Sequence, residues 1–333
     1  MPTVLVSHPA DRLSAYFGDE ALLRLRRIAA VRLNTSNEDL AGPALVQAAR
    51  GCEVLIAYRQ TSLDAAVLQA MPDLLAVVRC AVDIRTIDVA AASAQGILVT
   101  QASAGFMASV SEWIVAAMID LSRGISTAAA LYQAGQQPVA HMGRELRCAT
   151  VGVIGYGQIS RYLCPLLRAF GMRVLVHDPF VMPDEPGLEC VSWPGLLAQS
   201  DHVVCLAPAN ASTENLLNAD SFAQMKRGAF FINAARGNLV DDAALLAALD
   251  SGQLSGAALD VGRAADQMPA PALARHLRVL ASPHIGGLTP PAIEHQSLET
   301  VAQTASILRG ELPQGAVNAP AAHRLQIRPQ RPA

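Results

Sequence analysis

Two side chains with complementary chemistry follow predicted strands in the second half of the chain. Arg236 stands after the apolar run 229–233, and His284 follows the run 279–281, 48 positions further on. An arginine in such a place can hold a carboxylate through two parallel hydrogen bonds. The histidine, which precedes a glycine pair, can give or take a proton near neutral pH. The two residues are therefore suited to bind a carboxylate and to exchange a proton.

A glycine-rich turn near the middle of the chain has the order of a dinucleotide site. The apolar run 151–154 has strand length and enters Gly155-Tyr-Gly157, after which residues 158–170 have helical spacing. Gly155 permits a tight turn, Gly157 lets the backbone approach a pyrophosphate, and the helix start presents amide groups to it. Ser160 replaces the third glycine of the pattern and is small enough for close helix–strand packing.

An acid follows the next predicted strand. The run 174–176 stops at Asp178, which lies 21 residues after Gly157. Its carboxylate can accept hydrogen bonds from an adenosine ribose and would repel a 2′-phosphate. Because Pro179 and Phe180 offer no arginine to such a phosphate, the sequence predicts NAD rather than NADP. With a nicotinamide cofactor, Arg236 and His284 supply what hydride transfer to a 2-keto acid needs.

Strand and helix patterns alternate along most of the chain, which predicts an α/β fold with parallel sheets. Residues 103–287 are predicted to form an NAD-binding Rossmann domain, a doubly wound parallel sheet of about six strands. Residues 1–102 and 288–333 are predicted to form a smaller, flavodoxin-like α/β domain that binds substrate. A long apolar helix over 107–121 is expected to serve core packing, and in a two-domain enzyme it would cross between domains or pack on a partner subunit. The last twenty residues, rich in Pro and Ala, are expected to be extended.

The composition narrows the possible classes of protein. Of 333 residues, 52% are hydrophobic and 16% charged, which is typical of a globular protein. The net charge of −3 provides no basic field for nucleic acid. Six scattered cysteines indicate a reducing compartment, with neither a disulfide nor a metal site. Because no apolar run reaches the roughly 18 residues that a membrane span requires, we expect a cytoplasmic protein without a membrane partner.

Several longer motifs carry a family resemblance. They lie at 151–157, 168–172, 178–179, 197–201, 225–228, 232–241, 256–261 and 283–287, with weaker similarity over 87–92 and 100–113. In these motifs the sequence resembles the D-isomer-specific 2-hydroxyacid dehydrogenase family, which includes phosphoglycerate dehydrogenases, glyoxylate/hydroxypyruvate reductases and formate dehydrogenases. The resemblance implies an NAD-dependent enzyme that interconverts a D-2-hydroxy acid and its 2-keto acid, and a homodimer.

The resemblance also implies roles for single residues. Arg236 would bind the substrate's carboxylate, and His284 would be the general acid/base. Residues at the cofactor would be Gly155, Gly157, Gln158, Ile159, Asp178, Ala207, Pro208, Ala234, Ala235, Asp260, Gly286 and Gly287. Of these, Gln158 and Ile159 would offer backbone amides to the pyrophosphate. The substrate would be met by Arg59, Ala81 and Val82 as well as by Arg236.

One catalytic position departs from the family pattern. Relatives have a glutamate 29 positions after the arginine, which raises the pKa of the histidine, and here that position is Ala265. The adjacent Asp266 can take the catalytic role if the loop shifts by one residue. Formate-type members carry a glutamine there, but Gln267 is too displaced to imply that activity. The sequence therefore leaves open an NAD(H)-binding regulatory protein with little or no turnover.

The loop expected to hold the substrate departs as well. Relatives have a glycine-rich run where this chain has residues 79–85, and Asp83 stands at a usual glycine. The aspartate restricts the backbone and adds a negative charge near an anionic ligand. Arg85 or Arg59 is expected to offset that charge. This altered loop predicts either an unusual substrate or a loss of efficient turnover of simple 2-hydroxy acids.

Overall fold

The computed structural model describes residues 1–264 and 266–326 and has an α/β architecture. The strands are β1 (Thr3–Val6), β2 (Ala30–Leu33), β3 (Val54–Ala57), β4 (Ala76–Arg79), β5 (Leu98–Gln101), β6 (Thr150–Ile154), β7 (Arg173–His177), β8 (Leu188–Cys190), β9 (His202–Cys205), β10 (Ala229–Asn233), β11 (Leu254–Leu259) and β12 (Val279–Ala281).

The helices alternate with these strands for most of the chain. They are α1 (Leu13–Tyr16), α2 (Asp19–Ile28), α3 (Gly42–Ala49), α4 (Ala65–Gln69), α5 (Val89–Ala94), α6 (Met107–Arg123), α7 (Ile125–Gln133), α8 (Gln158–Ala169), α9 (Trp193–Gln199), α10 (Ala219–Gln224), α11 (Asp242–Asp250), α12 (Pro271–Ala274), α13 (Pro290–Leu308) and α14 (His323–Gln326).

The chain divides into two compact units. Unit 1 comprises Met1–Gly105 and the segment that begins at Pro290, and unit 2 comprises Phe106–Thr289. The sequence placed the two changes of domain after residues 102 and 287. The structure places them after Gly105 and Thr289.

Unit 1 contains a five-stranded parallel sheet in the order β2-β1-β3-β4-β5, which is the flavodoxin order. Strands β3 and β4 are buried throughout, as parallel strands with helices on both faces must be. β2 could not be predicted from the sequence, because this edge strand is short and half exposed and lacks an apolar run.

Unit 2 contains a seven-stranded parallel sheet in the order β12-β11-β10-β9-β6-β7-β8. The chain leaves β6 toward β7 on one side, and β9 then pairs with β6 on the other side. The order of the strands therefore reverses at β6, and ligands of such sheets bind outside the carboxyl ends of the strands at the reversal. The predicted doubly wound fold is confirmed, with one strand more than expected.

The C-terminal segment corrects one prediction. Residues 319–326 are not extended, because a 3₁₀ turn at Ala319–Ala321 is followed by α14. Leu325 is buried in the core of unit 1, and the Arg324 guanidinium donates to three backbone carbonyls of residues 71–74. A segment rich in alanine and proline shows no helical spacing of apolar residues. Its conformation is therefore decided by tertiary packing. The predicted extended residues 327–333 lie outside the described part of the chain.

No single helix among the described residues is long and apolar enough to cross a membrane. Within residues 1–264 and 266–326, one pair of helices, α6 and α7, passes that test when taken together, and the two meet at an angle of 71°.

Asn318 should be a main anchor of the C-terminal segment. Its side chain accepts from the Val99 amide and donates to the Ile97 carbonyl and the Ser93 hydroxyl, at 2.8 to 2.9 Å. Asn318→Ala leaves these groups unpaired and should lower the free energy of unfolding by about 2–3 kcal/mol. Thermal unfolding measures this change. The exposed Asn37→Ala should stay within about 0.5 kcal/mol of wild type, and an equal loss in both variants would contradict the anchoring role.

Candidate functional site

The turn after β6 needs its first glycine for two reasons. Gly155 has φ of +89°, a backbone conformation that favours glycine. A Cβ there would also lie 2.9 Å from the Leu206 carbonyl oxygen and 3.0 Å from the Ala207 backbone. Gly155 thus brings the turn against the loop after β9, which contains the predicted cofactor residues Ala207 and Pro208.

The start of α8 offers backbone amides to an anion. No side chain caps this helix, whose N-cap is Gly157. Apart from Gly157 itself and its neighbours along the chain, no atom of the described residues lies within 4 Å of where a Gly157 Cβ would be. The amides of Gln158 and Ile159 belong to the first turn, where an α-helix lacks internal acceptors. Buried Ser160 donates its hydroxyl hydrogen to the Gly155 carbonyl at 2.7 Å and so fits the third glycine position. These residues fit the pyrophosphate of a dinucleotide.

Asp178 ties the glycine turn to the end of β7. Its Oδ2 accepts from the Tyr156 amide at 2.7 Å, and its Oδ1 accepts from the amides of Phe180 and Val181 at 2.8 and 3.0 Å. Burial acts to raise the pKa of Asp178, but these three amides outweigh it and the pKa is lowered. A carboxylate offers about four acceptor positions. Oδ2 therefore keeps one for a ribose hydroxyl.

The loop after β10 holds Arg236 through a residue that sequence analysis did not select. The side-chain Nδ2 of Asn233 donates to the Arg236 carbonyl at 2.9 Å. Its Oδ1 accepts from the backbone amide of Ala235 at 3.0 Å. Arg236 itself is half-buried and donates from Nη1 to the Ala235 carbonyl at 2.7 Å. The sequence feature that could have indicated Asn233 is a polar residue at the end of the otherwise apolar strand Ala229–Asn233. Ala234 lies in this same loop.

Backbone packing restricts the position of the Arg236 loop. A Cβ on Gly237 would lie 2.0 Å from the carbonyl carbon of Gly262, and a Cβ on Gly262 would lie 2.0 Å from the Met268 carbonyl oxygen. Neither position tolerates a side chain. The loop after β10 is therefore packed directly against Gly262 and Arg263, which follow β11.

Asp260 organises the loop that carries His284. Its carboxylate is buried and accepts from the Ser282 hydroxyl at 2.6 Å and from the amides of Ile285 and Gly286 at 2.8 Å each. His284, between these contacts, has φ of +56° in the left-handed region. A Cβ on Gly286 would lie 2.8 Å from Asp260 Oδ2, so glycine is required for this approach. The neighbouring predicted residue Gly287 packs near Phe106.

The predicted replacement for the missing glutamate lies in an exposed loop. Asp266 Oδ1 accepts from the Met268 amide at 3.0 Å, and Gln267 has φ of +61°. Ala265, the aligned glutamate position, lies outside the described residues. The catalytic role of Asp266 remains a prediction.

Arg263 fixes the start of this loop. Its guanidinium donates to the Val240 carbonyl, to Asn215 Oδ1 and to Glu214 Oε1, the last at 2.7 Å. The bond from Arg263 lowers the pKa of Glu214. Three loops at the carboxyl edge of the sheet are thereby tied together.

The predicted substrate residues lie at the carboxyl edge of the sheet in unit 1. Arg59 follows β3, and its guanidinium carbon is 6.0 Å from the centre of the Tyr16 ring. Ala81 and Val82 follow β4 and are half-buried. Arg85 forms an ion pair with Asp83 at 2.8 Å, so it offsets the charge that Asp83 brings to this loop.

Among residues 1–264 and 266–326, no three His, Cys, Asp or Glu side chains gather in a group that could hold a metal ion.

The fold and the glycine turn define an α/β protein with a dinucleotide-binding unit. The family profile described as "D-isomer specific 2-hydroxyacid dehydrogenase, NAD binding domain" matches residues 115–286, which lie in unit 2. The chain therefore belongs to the D-isomer specific 2-hydroxyacid dehydrogenase family, as its motifs predicted, and its cofactor is NAD.

Individual relatives agree with this assignment. The chain is 34% identical over 298 residues to (S)-sulfolactate dehydrogenase of Chromohalobacter salexigens. That match covers 88% of this chain and 96% of the relative. The chain is 35% identical over 274 residues to D-3-phosphoglycerate dehydrogenase 3, chloroplastic, of Arabidopsis thaliana. That match covers 81% of this chain but 47% of the relative, so the chain spans about half the length of that protein.

A solved structure extends the likeness to the whole fold. D-2-hydroxyisocaproate dehydrogenase superposes with a TM-score of 0.83 at 26% identity, and the match covers 96% of this chain and 100% of that one.

Asp178→Ala should weaken NADH binding and loosen the glycine turn, because the carboxylate accepts from three amides and keeps one acceptor position for a ribose hydroxyl. We expect the Kd for NADH to rise roughly tenfold to a hundredfold, with a lower melting temperature without nucleotide. Fluorescence titration and thermal unfolding measure the two effects. The exposed Asp184→Ala is the matched control. Unchanged NADH affinity in Asp178→Ala would place the ribose elsewhere.

Proposed function

We propose that this chain is an NAD-dependent oxidoreductase that interconverts a D-2-hydroxy acid and its 2-keto acid. The observation that carries the proposal is the link between the Arg236 and His284 loops. The amide of Asp260 donates to the Asn233 carbonyl at 3.2 Å, while its carboxylate binds both sides of His284. A cation and an acid–base group are thus held on the sheet edge that carries the dinucleotide turn.

The residues have distinct roles in this proposal. The Arg236 guanidinium binds the substrate carboxylate by a paired, charge-assisted hydrogen bond. His284 takes the hydroxyl proton of the hydroxy acid during oxidation and returns it to the alkoxide during reduction. Bound NAD would supply the acceptor for the hydride that leaves C2 of the hydroxy acid during oxidation. Arg59, Ala81 and Val82 in unit 1 are proposed to select the substrate's side chain.

Kinetics on a panel of 2-keto acids test these roles. Arg236→Gln should lower kcat/KM by roughly 10²–10³, because the lost ionic pair binds substrate and transition state alike. His284→Gln should lower kcat by roughly 10²–10⁴. The reaction is followed as NADH oxidation with glyoxylate, hydroxypyruvate, pyruvate, phenylpyruvate and a phosphorylated keto acid. Arg275→Gln removes an exposed arginine outside the site and should leave the rates unchanged.

The pH dependence tests His284 separately. Reduction consumes the protonated imidazole, so kcat for a 2-keto acid should fall as pH rises through the pKa of His284. His284→Gln should remove that decline. A wild-type rate that is flat between pH 5 and 9, a range that brackets an ordinary histidine by roughly two units on each side, would exclude the histidine from proton transfer.

The kinetics on the panel of 2-keto acids also distinguish the proposed enzyme from a regulatory protein. Ala265 supplies no charge at the family's glutamate position, and Asp83 alters the substrate loop. Tight NADH binding without turnover on any member of the panel would favour an NAD(H)-binding regulatory protein. Turnover that is lost in Arg236→Gln would favour the enzyme.

We infer that the chain forms a homodimer through the segment 125–142. Helix α7 buries none of its residues within the described chain. Four large apolar side chains of this segment are exposed, with Ile125 at 55%, Tyr132 at 65%, Val139 at 87% and Met142 at 98%. Several large apolar side chains exposed within one segment are typical of an interaction site.

Charge placed in this segment should prevent dimer formation. The double variant Ile125→Glu, Tyr132→Glu introduces carboxylates that a buried interface cannot solvate, so it should be monomeric at micromolar concentration. Analytical ultracentrifugation measures the mass. Leu277→Glu is the control, because Leu277 is 94% exposed outside this segment. A wild-type monomer, or a double variant that still dimerises, would contradict the inference.

A further inference from the structure

A pocket lies at the end of the unit 2 sheet opposite to the dinucleotide turn. It has a volume of about 380 Å³ and is lined by residues at the amino-terminal ends of β6, β9 and β10. These strands are parallel, and their carboxyl ends lead to the turn and to the Arg236 loop. The pocket is therefore separate from the candidate active site.

The lining of this pocket has an excess of positive charge. Four of its residues are cations, namely Arg144, Arg147, Lys226 and Arg227. Arg147 pairs with Glu145 at 3.0 Å, and Lys226 pairs with Asp201 at 2.6 Å. Within residues 1–264 and 266–326, Arg144 and Arg227 have no carboxylate partner. Two positive charges of the pocket are thus uncompensated by neighbouring side chains.

Arg144 is held in place without an acid. Its Nη1 donates to the Gly228 carbonyl at 3.0 Å, and its guanidinium carbon lies 5.3 Å from the centre of the Phe230 ring. A guanidinium has five N–H donors, so most of them remain for a ligand. Because the Arg144 side chain is already held in place, it loses less conformational entropy when an anion binds.

His202 supplies an independent sign of a ligand. It lines the pocket and is 1% exposed, and its ring stacks on Phe230 with the centroids 5.2 Å apart. Its Nδ1 has no hydrogen-bond partner among the described residues, which is rare for a buried polar atom. Burial lowers the pKa of His202 to about 4. Arg144 acts in the same direction and Asp201 acts against it. The neutral ring keeps one N–H donor at pH 7.

We propose that this pocket binds a small, multiply charged phosphate anion, with Arg144 and Arg227 as its cations and His202 as a neutral hydrogen-bonding group. A phosphate or pyrophosphate has several oxygen acceptors on one compact group, so it can meet two guanidinium groups at once. The exposed positions of both arginines leave the pocket open to solvent. The inference stands apart from the oxidoreductase activity.

Calorimetry with inorganic pyrophosphate tests the pocket. The full chain is first saturated with NADH, so that the dinucleotide site cannot take the probe, and ionic strength is kept constant. We expect saturable binding at one site. Arg227→Gln should raise the Kd roughly tenfold or more. Because the Arg227 side chain makes no hydrogen bond or ion pair within the described residues, this variant should keep its melting temperature.

Two further variants complete the binding test. Arg144→Gln should also raise the Kd, and its melting temperature shows whether the loss of the Gly228 contact alters the fold. Arg27→Gln, an exposed arginine of α2 in unit 1, should leave the Kd unchanged. Binding that survives both pocket variants, or no saturable heat at all, would overturn the proposal. A pocket covered by a second copy of the chain would give the latter result.

The His202 side chain reports on the location of the bound anion. Its imidazole ¹⁵N resonances, assigned with His202→Phe, should shift with the same half-saturation as the calorimetric signal. Unchanged His202 resonances during saturable binding would place the pyrophosphate elsewhere. A shift of all histidines without saturation would show only general screening and would also reject the pocket.

Discussion

The buried carboxylate of Asp260 is the interaction on which the candidate active site depends. A charge removed from water is tolerated only where donors meet it, and Asp260 receives a hydroxyl and two amides from the loop around His284. That loop includes a left-handed residue and would not keep its course by local preference. The Asp260 amide also binds the end of β10. The position of His284 relative to the Arg236 loop therefore rests on this one residue.

The dinucleotide turn uses a second carboxylate in a related way. Asp178 accepts from the Tyr156 amide in the turn and from two amides of its own loop. The contact with Tyr156 joins segments that follow two adjacent strands of the sheet. The same group that positions the turn also keeps one acceptor position that a ribose hydroxyl can use. Structural and binding roles thus coincide because parallel strands end at a common edge.

The two ends of the unit 2 sheet have opposite chemistry. At the carboxyl edge, glycines and alanines leave room for a nucleotide, and two acids, Asp178 and Asp260, hold the loops in place. At the amino edge, Lys226 and Arg227 follow the C-terminus of α10, where the helix dipole favours cations. Helix polarity accounts for part of this positive charge. It does not account for the unpaired nitrogen of His202 or for Arg144, which precedes a strand.

The sequence by itself determined the alternation of elements and the glycine turn followed by Asp178, and it named Arg236 and His284 as candidates, because each depends on a short motif or a local period. Only the tertiary structure decided which groups meet across distant segments. Asn233 on the Arg236 loop, Asp260 on the His284 loop and Arg144 on Gly228 are contacts of this kind. The helix after residue 322 belongs with them, because a Pro- and Ala-rich segment has no period of its own. The physical reason is that hydrogen-bond partners and burial depend on which loops pack together, and no local pattern encodes that choice.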